Sequence, residues 1–238
     1  MTESIQVSPS LMTMDLDHFK EQIKFLNGKV SFYHIDIMDG HFVPNITLSP
    51  WFIEQVRKIS DVPMSAHLMV TNPSFWVQQL IASKCEMICM HAEVINGVAF
   101  RLIDQIHGAG LKVGVVLNPE TSIETLLPYI DLLDKVTVMT VDPGFAGQRF
   151  LKICLNKIVE LRRLRENNNY KYSIEIDGST NLKHWKMLAD VKPDIYIIGR
   201  SGLFGLADNI EDCWNQMIKE YEESTGLFFS NSANATNS

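Results

Sequence analysis

The stretch that decides the fold is FYHIDIMDGH, residues 32–41. Apolar side chains alternate with other residues through it, and this alternation predicts a strand. Because residues two apart in a strand point to the same face, His34 and Asp36 project together. An imidazole nitrogen beside a carboxylate oxygen could begin a divalent-metal site, or it could place a base beside a polarising group.

Short apolar runs of this kind alternate with helical patterns along the chain. Eight strand–helix units with near-continuous apolar strands favour an α/β protein with one parallel (β/α)8 barrel, a TIM barrel. A doubly wound open sheet is the alternative. The predicted strands cover residues 5–8, 32–37, 64–69, 87–91, 112–117, 135–141, 172–176 and 195–198. The predicted helices cover residues 17–26, 50–59, 73–83, 98–109, 123–129, 151–167, 182–188 and 209–223.

Length and composition indicate the domain organisation. The chain has 238 residues, a net charge of −7 and 46% hydrophobic residues, and one α/β barrel commonly has this length. We expect a single barrel domain over residues 1–223. Residues 224–238, rich in Ser, Asn, Thr and Ala, predict a disordered tail.

The same composition excludes several partners. An acidic chain argues against a nucleic-acid surface, although backbone N–H groups can still hold a small phosphorylated ligand. We expect no membrane span, because no apolar run approaches about 18 residues. Residues 1–6 do not resemble a signal peptide, and the four cysteines do not match a zinc framework. These features favour a cytoplasmic protein.

Four candidate ligands fall near the carboxyl ends of predicted strands, where the active site of such a barrel lies. His34 and Asp36 end the second strand, His67 lies in the third and Asp177 follows the seventh. Each residue alone is weak evidence, since a lone His there is more often a packing residue and a lone Asp a helix cap. Together, with two of them on one strand face, they favour a divalent-metal site.

The two carboxylates also suggest a reaction. Strands two and seven lie far apart around an eight-stranded ring, so Asp36 and Asp177 would approach a central ligand from different sides. This arrangement suits proton removal on one face of a carbon and proton return on the other, as in epimerisation next to a carbonyl. A carboxylate of pKa about 4 is a weak base for a carbon acid, so a metal would have to stabilise the enediolate.

Glycine-containing segments follow strands six, seven and eight, where these barrels usually bind phosphate. Backbone N–H groups can close on the anion there, and the Arg side chain could add charge or point to solvent. The predicted phosphate segments contain Gly144, Phe145, Ala146, Gly147, Gly178, Ser179, Gly199, Arg200 and Ser201.

Three methionines lie near strand ends two, three and six: Met38, Met69 and Met139. Methionine at such positions is usually core filler. If these side chains face the site, they would form a soft apolar wall that excludes water from the reacting atoms.

Several motifs resemble the ribulose-phosphate 3-epimerase family, over residues 5–223. They are PSL (9–11), HIDIMDGHFVPN (34–45), HLMV (67–70), VDPGFAGQ (141–148), DGS (177–179) and GRS (199–201). The resemblance implies a (β/α)8 barrel that epimerises a phosphorylated ketose at carbon 3. It also implies a divalent ion such as zinc, iron, manganese or cobalt, and assembly as a homo-oligomer.

Residue roles follow from the resemblance by motif position. The implied metal ligands are His34, Asp36, His67 and Asp177. Asp36 would accept the carbon-3 proton, and Asp177 would donate a proton on the other face. Ser10 and His67 would contact the substrate, and the glycine segments with Asp177 would hold it.

Differences from the residues usual in the ribulose 5-phosphate branch of the family indicate which substrate to expect. Asp142 stands where the ribulose 5-phosphate branch usually has Asn, and Ala146 where it usually has Gly. Segments 47–50, 96–104 and 139–147 resemble instead the branch that converts D-allulose 6-phosphate to D-fructose 6-phosphate. We therefore expect the six-carbon substrate, with conversion of D-ribulose 5-phosphate to D-xylulose 5-phosphate as the alternative.

Two other classes remain open. A barrel sugar-phosphate lyase of the Schiff-base type would need a lysine at a strand end, whereas Lys112 and Lys135 begin their strands. A non-catalytic sugar-phosphate binder would need no pair of acids that faces one carbon.

Overall fold

The structure is a computed structural model that describes residues 2–231. Its nine strands form one sheet in the order β2-β3-β4-β5-β6-β7-β8-β1-β9, and all neighbouring strands pair in parallel. The strands are β1 (Thr2–Pro9), β2 (Tyr33–Met38), β3 (Met64–Met69), β4 (Met87–His91), β5 (Lys112–Leu117), β6 (Lys135–Met139), β7 (Ser173–Asp177), β8 (Ile195–Ile198) and β9 (Phe228–Asn231).

Helices follow the strands on the outside. They are α1 (Phe19–Leu26), α2 (Pro50–Arg57), α3 (Pro73–Ala82), α4 (Ala92–Ile95), α5 (Ala99–Gly108), α6 (Cys154–Asn168), α7 (Trp185–Val191) and α8 (Ile210–Thr225). Short contacts between β1 and β2 bring the ends of the sheet together: the Ser31 amide donates to the Val7 carbonyl at 3.2 Å, and Ser10 forms a parallel bridge with His34. The predicted single-domain (β/α)8 barrel is confirmed.

The two faces of each strand separate the core from the site. In β2, Ile35 and Ile37 join the main apolar core with helix residues such as Ile23 and Ile53. The alternate residues, His34 and Asp36, point the other way, toward the barrel interior. Burial on both faces explains why the strands read as almost continuous apolar runs.

An ion pair fills the barrel interior at the start of β6. Lys135 Nζ lies 2.7 Å from Glu175 Oε1 and donates to Ser65 Oγ at 2.8 Å, and all three side chains are fully buried. The attraction and the hydrogen bonds offset the cost of removing both charges from water. Lys135 is therefore engaged inside the barrel, at the amino end of its strand.

One predicted helix is wrong. Residues 123–129 form no α-helix, and two 3-10 turns, Ile123–Leu126 and Ile130–Leu132, occupy this region. Pro128 explains the difference, because its ring restricts the preceding residue and cannot continue a helical hydrogen-bond ladder. The predicted helix at 182–188 is shifted, since α7 begins at Trp185.

The carboxyl-terminal segment also differs from the expected tail. Helix α8 ends at Thr225, Gly226 follows with a left-handed φ of 70°, and β9 then pairs with the first residues of β1. The Phe229 ring packs edge-on against Trp214 and Tyr221, which gives this strand an apolar anchor. The predicted tail thus includes the end of α8 and strand β9, and residues 232–238 of it lie outside the described residues.

The lengths and hydropathy of the helices can be compared with the prediction that the chain has no membrane span. Within residues 2–231, none is both long enough and apolar enough to cross a bilayer.

Candidate active site

Four side chains from three strands meet at one point inside the barrel. His34 and Asp36 come from β2, His67 from β3 and Asp177 from the end of β7. One ligand atom of each lies within 4.8 Å of the others. His34 Nε2 lies 3.1 Å from Asp36 Oδ1, 3.2 Å from His67 Nδ1 and 3.5 Å from Asp177 Oδ2. The structure thus brings together the four ligands that the sequence predicts.

The donor set and its spacing fit a divalent ion. Neighbouring donor atoms lie 3.1 to 3.5 Å apart, including His67 Nδ1 at 3.4 Å from Asp36 Oδ1 and from Asp177 Oδ2. Ligand bonds of about 2.0–2.2 Å in a tetrahedral site would separate neighbouring donors by about 3.3–3.6 Å. Two imidazoles and two carboxylates suit zinc, iron, manganese or cobalt, so the chemistry of the set leaves the identity of the ion open.

Burial and neighbouring charges shift the pKa values of Asp36 and His67 in opposite directions. Burial alone would raise the pKa of Asp36, but the charges and hydrogen bonds of His34 and His67 hold it well below its usual range. Burial would lower the pKa of His67, but contacts with Asp177 and Asp36 raise it to about 9. The metal-free cluster therefore keeps a proton on His67 at neutral pH, where an ion would otherwise supply the positive charge.

Hydrogen bonds from Ser10 and Thr47 fix the position of Asp36. The Ser10 hydroxyl donates to Asp36 Oδ2 at 2.6 Å, while the other oxygen faces the imidazoles. The Asp36 carbonyl accepts a 2.6 Å hydrogen bond from Thr47 Oγ1. Ser10 thus contacts a catalytic candidate directly. Its predicted substrate contact stays a prediction, and Ser10 lines the cavity where a substrate would lie.

Two residues behind His67 have no role in the sequence prediction. His67 Nε2 lies 2.8 Å from His91 Nε2, and His91 Nδ1 lies 3.3 Å from Glu93 Oε2. Burial lowers the pKa of His91 to about 4, more than the contact with Glu93 raises it. Burial would raise the pKa of Glu93, but contacts with His91 and Thr121 lower it to about 2. The order of residues, His-x-Glu at a strand end, was the signal that could have found them.

A cavity of about 350 Å³ opens above this cluster at the carboxyl ends of the strands. Asp36 and Asp177 line it, as do all the predicted phosphate-segment residues and the three methionines. His34 and His67 do not line it, and their side chains are almost completely buried. They therefore lie behind the carboxylates, and the predicted substrate contact of His67 stays a prediction.

Cavity residues absent from the sequence prediction include Met12, Thr13, Gln148, Val141, Thr180 and Ile197. Met12 follows Ser10 in a 3-10 turn and packs against Met38 and Met69. This turn had no periodic pattern, so only its position after the first strand could have indicated it.

Close packing shapes the glycine segments. Gly178 has a φ of +120°, and a Cβ there would lie 2.7 Å from a Val141 methyl. A Cβ on Gly202 would lie 2.1 Å from the Thr180 carbonyl oxygen. Both positions therefore exclude a side chain. Gly178 brings the segment after β7 close to the segment after β6, and Gly202 brings the segment after β8 close to the segment after β7.

The hydroxyls of these segments have internal partners. Ser179 Oγ donates to the Gln148 carbonyl at 2.9 Å, and Ser201 Oγ accepts from Asn181 Nδ2 at 3.0 Å. Arg200 is exposed at the cavity rim. Asn45 Nδ2 donates to the Gly144 carbonyl at 2.7 Å and ties the loop after β2 to the loop after β6.

Comparison with known proteins places this site in a family. The sequence profile of the ribulose-phosphate 3-epimerase family matches residues 6–204. The ribulose-phosphate 3-epimerase of Bacillus subtilis (strain 168) is 36% identical over 206 residues, which cover 86% of this chain and 94% of that protein. The chain belongs to the ribulose-phosphate 3-epimerase family. It is thus an isomerase, an epimerase of carbohydrate phosphates, in a family that depends on divalent metals.

Other members of the family are similarly related. The ribulose-phosphate 3-epimerase of Methanocaldococcus jannaschii is 33% identical over 205 residues, with 86% of each chain covered. The chloroplastic ribulose-5-phosphate-3-epimerase of Arabidopsis thaliana is 32% identical over 209 residues, covering 87% of this chain and 74% of that protein. These names do not support the expected preference for a six-carbon substrate.

Two solved structures with the same fold are more distantly related to this chain than the relatives above. The 3-hexulose-6-phosphate synthase of Salmonella typhimurium superposes with a TM-score of 0.66 at 15% identity, covering 92% of this chain and 100% of that one. KGPDC of Streptococcus mutans gives a TM-score of 0.66 at 13% identity, covering 92% and 98%. At such identities the likeness shows the barrel fold alone.

Metal binding should depend steeply on pH. His67 must lose its proton before Nδ1 can ligate an ion, and its pKa in the metal-free protein is about 9. The apparent affinity for Zn2+ should therefore rise about tenfold per pH unit between pH 6 and 8, with release of about one proton per ion. Competition with a chromogenic chelator measures the affinity, and calorimetry in two buffers of different ionisation enthalpy counts the protons. An affinity independent of pH would contradict the protonated state of His67.

Proposed function

We propose that this chain is a metal-dependent epimerase that inverts carbon 3 of a phosphorylated ketose by two-base proton transfer. The observation that carries the proposal is that Asp36 and Asp177 both line the cavity and both contact the same two imidazoles. A carbon atom held above this cluster would have a carboxylate within reach from two strands.

Asp36 removes the carbon-3 proton and Asp177 returns a proton to the opposite face. The side chain of Asp36 is 6% exposed and that of Asp177 16% exposed, so water has little access to either. Because its pKa is held low, Asp36 is a weak base and needs an acidified carbon. Ser10 keeps the Asp36 carboxylate in one orientation through the reaction.

The buried cluster provides that acidification. His34, Asp36, His67 and Asp177 would hold a divalent ion, which when bound supplies a positive charge beside the substrate carbonyl and hydroxyl. His34 and His67 lie behind the carboxylates and keep them close together. The two imidazoles therefore orient the two bases, and the ion would neutralise the charge of the carboxylates.

The cavity walls divide into two parts. Met38, Met69 and Met139 are almost completely buried and present thioether side chains to the cavity, where they exclude water from the reacting carbon. At the other end, the segments with Gly144–Gly147, Gly178–Ser179 and Gly199–Ser201 bind the substrate phosphate through backbone N–H groups. Arg200 at the rim adds positive charge.

D-Ribulose 5-phosphate is the substrate that the relatives support. Proteins 32–36% identical to this chain over most of its length carry the name ribulose-phosphate 3-epimerase. D-Allulose 6-phosphate is the second candidate, favoured by Asp142, Ala146 and the segment 48–50, which depart from the five-carbon branch. Asp142 and Ala146 both line the cavity, so they are placed to affect substrate length.

Other functions fit the cavity less well. A Schiff-base lyase would need a lysine there, and no lysine lines the cavity within the part of the chain that the structure describes. A binding protein would not need two carboxylates on one cluster. Assembly as a homo-oligomer and a cytoplasmic location stay predictions.

Asp177→Asn should separate the two proton transfers. Asp36 remains, so the epimer whose carbon-3 proton faces Asp36 should still exchange that proton with D2O, while epimerisation falls about 10²–10⁴-fold. NMR of the sugar phosphate measures both rates at saturating metal. Asp190→Asn, the same change on the exposed surface of α7, is the control. Near-normal epimerisation by Asp177→Asn would refute the two-base mechanism.

Kinetics on two sugars should identify the substrate. We expect a higher kcat/KM on D-ribulose 5-phosphate than on D-allulose 6-phosphate, and deuterium incorporation at carbon 3 with both. The reverse order would establish the six-carbon candidate. In that case the double variant Asp142→Asn with Ala146→Gly, which restores the residues usual in the five-carbon branch, should move the ratio toward ribulose 5-phosphate.

A further inference from the structure

His91 ends β4 directly behind His67. Its side chain is fully buried, its ring stacks on that of His67 with centroids 5.0 Å apart, and the two Nε2 atoms lie 2.8 Å apart. At this distance one nitrogen must donate and the other must accept. The tautomers of the two rings are therefore linked.

Glu93 determines which way this hydrogen bond runs. Its Oε2 lies 3.3 Å from the buried His91 Nδ1, which has no well-aligned hydrogen-bond partner within residues 2–231. Its Oε1 accepts from the Asn118 backbone N–H at 3.0 Å and from the Thr121 hydroxyl. An ionised carboxylate only accepts, so it favours a proton on Nδ1 of His91.

The positions of the protons on His91 and His67 follow from this preference. With its proton on Nδ1, neutral His91 has a lone pair on Nε2 and accepts from Nε2–H of His67. The lone pair of neutral His67 is then on Nδ1, the atom that lies 3.4 Å from Asp36 and Asp177. His34 has no comparable support, because its buried Nδ1 has no hydrogen-bond partner among the described residues.

We propose that His91 and Glu93 are positioning residues that set the tautomer of His67, so that Nδ1 presents its lone pair to the bound metal. Neither residue lines the active-site cavity, so both act through His67. The inference rests on the metal site of the proposed function, and residues behind metal ligands commonly tune affinity in this way.

Glu93→Gln should disrupt the hydrogen bonds that join residue 93, His91 and His67. If the amide oxygen keeps the hydrogen bonds from Asn118 and Thr121, the NH2 group faces His91 Nδ1, which must then accept. The proton of His91 moves to Nε2 and opposes Nε2–H of His67. The flipped amide would instead set its NH2 group against the Asn118 N–H, so both orientations lose a contact.

The test is Zn2+ affinity of the metal-free full chain, measured by competition with a chromogenic chelator. Glu93→Gln should bind Zn2+ about 10–100-fold more weakly than the wild type. Glu93→Asp keeps an acceptor and should lose less. Glu120→Gln makes the same charge change at an exposed position in the adjacent loop and should bind as the wild type does. Unchanged affinity in Glu93→Gln, even with lowered thermal stability, would overturn the proposal.

Histidine 15N NMR of the zinc-loaded wild type tests the tautomer without any substitution. We expect His91 to carry its proton on Nδ1, and a proton on Nε2 would overturn the proposal even if Glu93→Gln fails to fold. Neither measurement uses a sugar. Lack of turnover on both sugar phosphates would refute the proposed function and leave this inference standing, whereas a wild type that binds no Zn2+ would refute both.

Discussion

The close approach of two imidazoles and two carboxylates inside the barrel is the interaction on which the rest of the structure depends. Their ligand atoms lie within 4.8 Å of one another, in a region from which water is nearly excluded. Two buried carboxylates this close repel each other unless positive charge compensates them. A proton on His67 can supply part of that charge, and a divalent ion would supply more. The need for compensation thus links metal binding to the orientation of the two bases.

Closure of the barrel brings the residues of this cluster together. Strand β2 contributes His34 and Asp36, and its neighbour β3 contributes His67 in register with Asp36. Asp177 comes from β7, which is remote from both strands in sequence and in the sheet order. Ser10, which bridges β1 to β2 at the closing seam, also donates to Asp36. A change at that seam would therefore disturb both the fold and the orientation of a catalytic carboxylate.

Much of the fold and of the site could be predicted from the sequence, for physical reasons that differ between residues. Buried parallel strands carry a strong apolar signal, and the rule that active sites lie at strand ends places Asp36 and Asp177 together. The helix expected at 123–129 was wrong because Pro128 overrides its periodicity. The contact of His91 with His67 depends on the register of β3 and β4, which pairs His67 with Cys89 and cannot be read from the sequence. The preference for a five- or six-carbon substrate stays a prediction, because hydrophobic periodicity says nothing about the loop positions Asp142 and Ala146.

The most direct test of this account is the crystal structure of the zinc-loaded protein with anomalous scattering at the zinc edge. We expect one buried ion bonded at about 2.0–2.2 Å to His34 Nε2, Asp36, His67 Nδ1 and Asp177. An ion bound elsewhere, or an ion here that leaves Asp36 or Asp177 unbonded, would contradict the claim that one cluster holds the metal and carries both bases.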